Sequence, residues 1–348
     1  MMAPAPWTPL HAELHREIRR RRLFCAGDRI LVAVSGGQDS LCLARLLLDL
    51  QPKWGWELAI AHCNHRWRPD AEDNADYVRS LAESWSIPVF VETATDRPAS
   101  EAAARAWRYD VLGAIARSHH YASVATGHTL SDRAETLLYN LVRGSGADGL
   151  QSLTWWRELR PGVALVRPLL EVRRAETAAF CQSRGLRVWE DSTNQDLRHP
   201  RNRIRQEILP ALQAHLNPQA EAALAHTAEL LRADVDYLET AAAELLRQAR
   251  SPADSFDSDL PRLHRPTLQA APLALQRRAL RQFLAQHLPA APSFELVEKL
   301  LTLIESPNRS QTDPFPGGAI ARVAGAWIEF GGGEPQPPDA AARNQGDR

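Results

Sequence analysis

From residue 29 onward the chain alternates short continuous apolar runs with longer stretches whose apolar residues recur every three or four positions. The first rhythm marks strands buried on both faces, and the second marks helices with one apolar side. Strands are predicted at 29–34, 57–63, 87–92 and 121–126, with helices at 40–50, 70–86, 100–118 and 130–142, all preceded by an amphipathic helix over 8–23. Repeated strand–helix–strand units imply an α/β fold: a doubly wound parallel sheet with helices on both faces, whose ligand lies beyond the carboxyl ends of the strands. From about 210 to 250 the pattern becomes rich in alanine and leucine and predicts one long helix. Residues 251–262 break it with proline, serine and aspartate. A small, mainly helical unit follows, with QRRALRQFLAQHL and FELVEKLLTLI as its clearest helices, then a β-hairpin turning near Ala324 and Gly325. The expected organisation is a nucleotide domain over 1–212, a linking helix over 213–250, a small helical domain over 251–330 and a disordered tail over 331–348.

The first strand–helix junction carries chemistry. In RILVAVSGGQDS, residues 29–40, the β-branched run Ile30–Val34 opens into a Gly-Gly turn and then a helix. Gly36 and Gly37 lack Cβ atoms, so backbone N–H groups can approach an anion, and the helix start adds partial positive charge. Ser35, Gly36, Gly37, Gln38, Asp39 and Ser40 form a candidate triphosphate loop. A Walker loop would set a lysine beside the last serine, whereas the nearest lysine, Lys53, lies at the far end of the helix. Asp39 instead sets a carboxylate beside phosphates, which repel it unless a divalent cation intervenes, so Mg²⁺ is implied and Asp39 is its candidate ligand. The plainer alternative is a Ser35–Gln38 capping box at an ordinary helix start.

Two further segments follow strands directly and so reach the same crevice: His62 to His65, and GHTLSDRAET at 127–136 with Gly127 and His128. Asp132 and Glu135 lie three apart on a predicted helix and share a face, so the pair can hold Mg²⁺ or the ammonium of an amino-acid substrate. Against that stands a Thr129–Asp132 capping box with Glu135 solvated. His62 and His65 lack neighbouring cysteines and read as nucleotide-pocket or core histidines rather than metal ligands. On helix 100–118, Arg105 and Arg108 are three apart; an Arg105–Glu101 salt bridge is the modest alternative to an anion-binding role. In HPRNRIRQEILP, Arg201, Asn202 and Arg205 are candidates for phosphates, while Asp191 to Asn194 read as turn and cap residues.

Composition narrows the class. The 348 residues are 44% hydrophobic, enough for a substantial core, and no apolar run reaches membrane-spanning length. The start lacks a basic segment followed by an apolar one, so no secretory signal is expected. Cys25, Cys42, Cys63 and Cys181 form no CxxC pair and read as reduced cytoplasmic core thiols. A net charge of −1 excludes a uniformly basic nucleic-acid binder, yet Lys53 and Lys299 are the only lysines among 41 basic residues. Arginine forks phosphate better than lysine, and it clusters at Arg16 and 19–22, at 198–205 and at 277–281. Base composition is the competing source of that bias.

SGGQDS is similar to the SGGxDS signature of the PP-loop ATP pyrophosphatases, a resemblance that implies cleavage of ATP to AMP and pyrophosphate. The segments at 59–75, 101–112, 125–150, 166–174 and 190–212 together resemble the tRNA(Ile)-lysidine synthases, in order across about two thirds of the chain. One departure stands out: the family's glycine after the second histidine of HCNH is Arg66 here, followed by Trp67. The resemblance implies a carbon–nitrogen ligase that adenylates O2 of the cytidine at the first anticodon position of tRNA(Ile) with a CAU anticodon. The L-lysine ε-amine then displaces AMP. It also implies ATP and Mg²⁺ as cofactors, Asp39, Asp132 and Glu135 as catalytic groups, and Arg105, Arg108, Arg201, Asn202 and Arg205 toward tRNA. A homodimer stays open. The rivals are a PP-loop tRNA thiolase, which should need a sulfur carrier or a cysteine pair, and a small-molecule ligase of the NAD or GMP synthetase kind, which should need an ammonia source. A non-catalytic ATP sensor would keep the glycines but could dispense with all three acids.

Overall fold

The computed structural model describes residues 7–189, 196–250 and 260–332. The chain divides into two compact units, with the boundary between Arg232 and Ala233.

The first unit opens with α1 (Pro9–Arg21), β1 (Arg29–Ala33), α2 (Gln38–Trp54), β2 (Glu57–Asn64), α3 (Ala71–Ser84), β3 (Val89–Thr93), α4 (Glu101–Ser118), β4 (Ser123–Thr126) and α5 (Leu130–Val142). It continues with the short α6 (Ala147–Leu150), β5 (Trp156–Arg160), β6 (Val163–Val166), α7 (Arg174–Ser183), the four-residue α8 (Pro200–Arg203), a π-helical turn (Ile204–Ile208), α9 (Leu209–His215) and α10 (Ala220–Ala249). The six strands form one sheet in the order β3-β2-β1-β4-β6-β5, parallel except for β5 on the edge. β1 pairs with β2 on one side and β4 on the other, with Ile30 beside both Leu58 and Ser123. The strand order therefore reverses at β1, and the crevice beyond the ends of β1 and β4 is the switch point where such sheets take ligands.

After Arg29, β1 is apolar because both its faces are covered. Ile30 and Val32 pack into a core with Leu14 and Ile18 of α1 and with Leu43, Leu46 and Leu47 of α2. Leu31 turns the other way, against Leu112 and Ile115 of α4. β5 and β6 carry little pattern: Trp156, Arg157 and Glu158 are all exposed, so an edge strand there has no apolar face to announce it.

The predicted single helix over 210–250 is two helices. Asn217 and Pro218 end α9, and Asn217 caps α10, its side-chain oxygen accepting from Gln219 N at 2.9 Å and its carbonyl from Ala220 N at 2.8 Å. Pro218 has no N–H to continue the first ladder. In the second unit, β7 (Arg262–His264), α11 (Arg265–Gln269), α12 (Leu273–His287), α13 (Phe294–Leu301), β8 (Ala319–Ala324) and β9 (Trp327–Gly332) complete the chain. The hairpin turns through Gly325, at φ 59°, and β7 joins it as a third strand in the order β7-β9-β8. Phe283, Leu284, Leu300 and Phe330, with Leu245 and Leu246 of α10, build this unit's own core. The tail expected to be disordered lies outside the described residues from 333 on, as does the 190–195 stretch that contains Asp191 to Asn194. Among the described residues no helix is long and apolar enough to cross a membrane. Cys42 and Cys181 are buried as expected, but Cys25 is exposed, so it is not a core thiol.

Candidate active site

The bend after β1 owes its shape to two glycines and one neighbour. Gly36 sits at φ 89°, where a side chain would be strained, and a Cβ there would fall 2.2 Å from Asn74 Oδ1. Asn74, buried on α3, donates from Nδ2 to Ser35 O at 2.9 Å and so fixes the bend from outside. Trp189 N donates to Gly36 O at 2.9 Å. Inside the bend, Ser40 Oγ lies 3.1 Å from Ser35 N, 3.2 Å from Ser35 Oγ and 2.9 Å from Gly37 O. The Ser35–Gln38 capping box does not form. Gly37 is the N-cap of α2, and the Gln38 amide turns instead to α7, donating to Arg174 O at 2.8 Å and Thr177 Oγ1 at 3.1 Å. The first turn of a 17-residue helix thus keeps its N–H groups directed at the cleft.

That cleft has a volume of about 620 Å³ and lies where the strand order reverses. Ser35, Gly37, Gln38, Asp39 and Ser40 line it from α2 and its approach, His62 from β2, and Gly127, His128 and Asp132 from the turn into α5. Arg108 and Arg205 reach its wall. Gly127 permits the closest approach: a Cβ there would stand 2.7 Å from Asp39 C and O and 2.8 Å from Ser40 N. Backbone from β4 therefore lies directly against the start of α2.

The three acids are in different states. Burial pushes Asp39 above its ordinary pKa, against the pull of Arg174, 3.4 Å from Oδ2, and of the Thr177 hydroxyl, which donates to Oδ1 at 2.5 Å. Asp132 adds repulsion, so the two carboxylates face a common space. Burial would raise Asp132 too, but the Thr129 N–H and hydroxyl and the Arg205 guanidinium outweigh that and hold it low. Oδ2 of Asp132 takes the Thr129 N–H at 2.8 Å and hydroxyl at 2.9 Å, which is the capping box; Oδ1 faces Arg205 at 3.5 Å. One carboxylate therefore both caps the helix and lines the cleft. Glu135 is not solvated. It is 3% exposed and gripped by Arg205, Nε to Oε1 at 2.6 Å and Nη2 to Oε2 at 2.8 Å. Burial still leaves its pKa raised.

His128 is driven down by burial and is neutral, with Nδ1 2.9 Å from Thr126 Oγ1. His62 is likewise lowered by burial, with Nδ1 2.8 Å from Val34 O, so it braces the strand end while lining the cleft. At Arg66 the backbone adopts the left-handed conformation, φ 56°, and Asn64 Oδ1 accepts its N–H at 2.9 Å. The chain thus keeps a glycine-like bend with a residue for which it is strained.

Among the described residues no ion pair joins Glu101 to Arg105; α4 is capped instead by Ser100, which accepts from Ala103 N at 3.1 Å. Gly36, Arg105, Arg201, Asn202 and Glu135 do not line the cleft. Arg201 Nη2 reaches Thr136 Oγ1 at 3.5 Å and Asn202 Nδ2 donates to Asp196 O at 2.9 Å. Several clustered arginines are held by acids of the protein itself: Arg20 and Arg21 by Glu17, Arg198 by Asp196, Arg277 by Glu298, and Arg278 and Arg281 by Glu239. Sequence reasoning missed Asn74, Arg174, Thr177 and Trp189, which brace the loop or its aspartate from α3, α7 and the stretch beyond α7. Their partners are 35 or more positions away, and local spacing carries no trace of that.

A PP-loop domain model matches residues 11–212, and a TilS substrate binding domain model matches residues 263–326. The chain is 62% identical over 336 residues to a tRNA(Ile)-lysidine synthase of a Nostoc species, covering 94% of this chain and 98% of that protein. It is 50% identical to the corresponding synthase of a Synechocystis species, over 93% and 98% of the two chains. Among solved structures, the U34-tRNA thiolase NcsA of Methanococcus maripaludis superposes with a TM-score of 0.54 at 18% identity, over 64% of this chain and 78% of that one, a likeness of fold alone.

Proposed function

The chain belongs to the tRNA(Ile)-lysidine synthase family, ATP-using ligases that modify tRNA, and on that premise we propose that its cleft joins L-lysine to C2 of the first anticodon cytidine of a CAU-bearing tRNA(Ile). One observation carries this reading: the Ser35–Ser40 bend, Asp39, His128 and Asp132 open onto a single cleft at the sheet's switch point. The thiolase reading is not favoured beside relatives of this identity and coverage.

Cytosine C2 resists amines because its oxygen would have to leave as oxide. Transfer of AMP to that oxygen makes it a good leaving group, so ATP cleavage activates the base. The N–H groups of the bend and the start of α2 receive the phosphates, where they stabilise charge that grows on pyrophosphate as it departs. Neutral His128 offers a hydrogen bond without adding positive charge. Mg²⁺ fits this donor set. Asp39 and Asp132 both line the cleft and repel each other there, a concentration of negative charge that a divalent cation would relieve, with Asp39 the residue that would hold it. When bound, Mg²⁺ would neutralise charge on the leaving pyrophosphate.

Lysine must attack as a free amine. Oδ1 of Asp132, ionised and outside the capping box, is placed to hold the ammonium and take its proton, whereas the Arg205 fork seals both oxygens of Glu135. Glu135 therefore positions Arg205. Arg105, Arg108 and Arg201 serve the tRNA, and such a substrate places the protein in the cytoplasm. The deciding measurement is pyrophosphate release by the purified protein with ATP. Because pyrophosphate leaves when the base is adenylated and lysine then frees the product, release over many turnovers should require both lysine and a CAU-bearing tRNA(Ile); sustained release indifferent to either would remove the lysidine assignment.

A further inference from the structure

Among the described residues, four arginines meet around Tyr109 without an ion pair to a carboxylate, and a fifth, Arg201, stands near enough to repel Arg105. Arg105 and Arg108 come from α4, Arg157 from β5, Arg167 from just past β6, and Arg201 from α8. Three guanidinium carbons stand over the Tyr109 ring, at 5.2 Å for Arg105, 5.3 Å for Arg108 and 5.0 Å for Arg157. Arg167, only 3% exposed, interacts with the tyrosine from the same side of the protein and donates from Nη1 to Thr154 O at 2.6 Å. The bonds these arginines do make are to neutral oxygens: Arg157 to Glu158 O at 3.0 Å and Arg201 to Thr136 Oγ1 at 3.5 Å. Arg108 Nε and Arg167 Nε are buried without a hydrogen-bond partner.

Elsewhere in this chain arginines that cluster are neutralised by the protein, as at Glu17, Glu229 and Glu239. Here burial and mutual repulsion act on Arg105 and Arg167 together, and both are pushed down from the ordinary arginine value. Gathering like charges out of water without counter-charge is costly, so the arrangement makes physical sense only if an anion completes it. Position says which kind. Arg108 lines the ATP cleft, while Tyr109 itself lines a second, open groove of about 380 Å³ together with Arg157, Arg160 and Asp110, where Asp110 neutralises Arg160 at 2.8 Å and leaves Arg157 uncompensated. A triphosphate held in the glycine bend would occupy the first space and leave the second empty. A single strand threading one base into the cleft must carry its neighbouring phosphates out past the rim. Arginines interleaved with an aromatic ring are how single-stranded nucleic acid is tracked.

Resting on the tRNA reading above, we propose that Arg157, Arg167 and Tyr109, together with Arg105, Arg108 and Arg201, form a phosphate track for the RNA nucleotides flanking the base held in the cleft. Arg157 is the residue to test because it is exposed on the edge strand and its hydrogen bond goes to the carbonyl of its own neighbour, Glu158. Binding of a CAU-bearing tRNA(Ile) transcript to the full-length protein is followed by anisotropy between 50 and 200 mM salt, roughly the range over which phosphate contacts show themselves. Arg157→Gln should weaken binding about tenfold at the low-salt end and make the salt slope shallower by about 0.7. A non-cognate tRNA should lose the same factor, since phosphate contacts carry no sequence. Affinity for ATP alone should not change. Arg157→Glu should weaken tRNA binding further.

An unchanged slope and affinity in both variants would overturn the track. So would an equal loss of ATP affinity, which would assign the cluster to the triphosphate. If the unmodified protein neither binds tRNA nor releases pyrophosphate with it, the underlying functional reading fails instead, independently of any variant.

Discussion

The tightest steric statement in the site is that the β4–α5 turn lies on the start of α2 with no room for a methyl group. Gly127→Ala tests it. The added Cβ would stand 2.7 Å from Asp39 C and O and 2.8 Å from Ser40 N, all backbone atoms that cannot rotate away. Relief needs the turn and the helix to part by several tenths of an ångström, moving Asp39 relative to Asp132. Overpacking of this kind costs about 1–3 kcal/mol, or about 2–12 °C in the melting temperature of a unit of this size. The catalytic loss should be larger in proportion, because a misplacement of about 1 Å at a reacting centre can cost about a hundredfold. Gly37→Ala is the internal control. Gly37 has an ordinary backbone angle, φ −76°, and a Cβ there meets only Ser35 Oγ at 3.5 Å. It should melt within about 1 kcal/mol of the parent, the N-cap preference being its main cost. Gly36→Ala should be worse than either on both axes, since it combines a left-handed backbone with a Cβ 2.2 Å from Asn74 Oδ1. Thermal unfolding and lysine-dependent pyrophosphate release read the two axes separately. Should Gly127→Ala match Gly37→Ala in melting and in rate, the close approach is wrong and the placement of Asp39 built on it falls.

Asp39→Asn separates stability from chemistry. Asp39 has a folded pKa raised by burial, so its ionised form burdens the ligand-free protein at neutral pH; that burden eases as pH falls through the folded value toward the unfolded one near about 3.9. The variant should melt above the parent at pH 7, lose that advantage as the pH is lowered, and release no measurable pyrophosphate. A lower melting point at pH 7 would show instead that the Arg174 and Thr177 contacts dominate. A second substitution, Glu229→Gln, removes a carboxylate from the fully buried Arg133, whose Nη2 it meets at 2.6 Å, leaving it, among the described residues, with Glu171 at 3.7 Å. Stranding a buried charge costs about 3–5 kcal/mol; with Glu229 about a third exposed, about 2 kcal/mol is expected in denaturant unfolding. Loss of less than about 0.5 kcal/mol, the ordinary range for surface changes, would place Arg133 outside any real ion pair.

What the sequence revealed and what it hid divide along physical lines. The parallel sheet was legible because β1, β2 and β4 are buried on both faces through their middles and so carry short apolar runs there, and the glycine bend was legible because it joins such a strand to a helix. Edge strand β5 was not, since only one of its faces meets protein. Within the site, Asp132 shows how one motif supports two readings at once: a carboxylate has two oxygens, and here one takes the Thr129 N–H of the capping box while the residue still lines the cleft. Glu135 went the other way, because its partner Arg205 lies 70 positions downstream and nothing local in GHTLSDRAET records that it will be sealed. The same blindness concealed the Tyr109 cluster. Arg105 and Arg108 look like an ordinary helical pair until β5, β6 and α8 bring three more arginines beside them and, among the described residues, no ion pair to an acid. Charge that is unremarkable in one dimension becomes uncompensated only in three, and it is the missing counter-charge, more than the arginines themselves, that points to RNA.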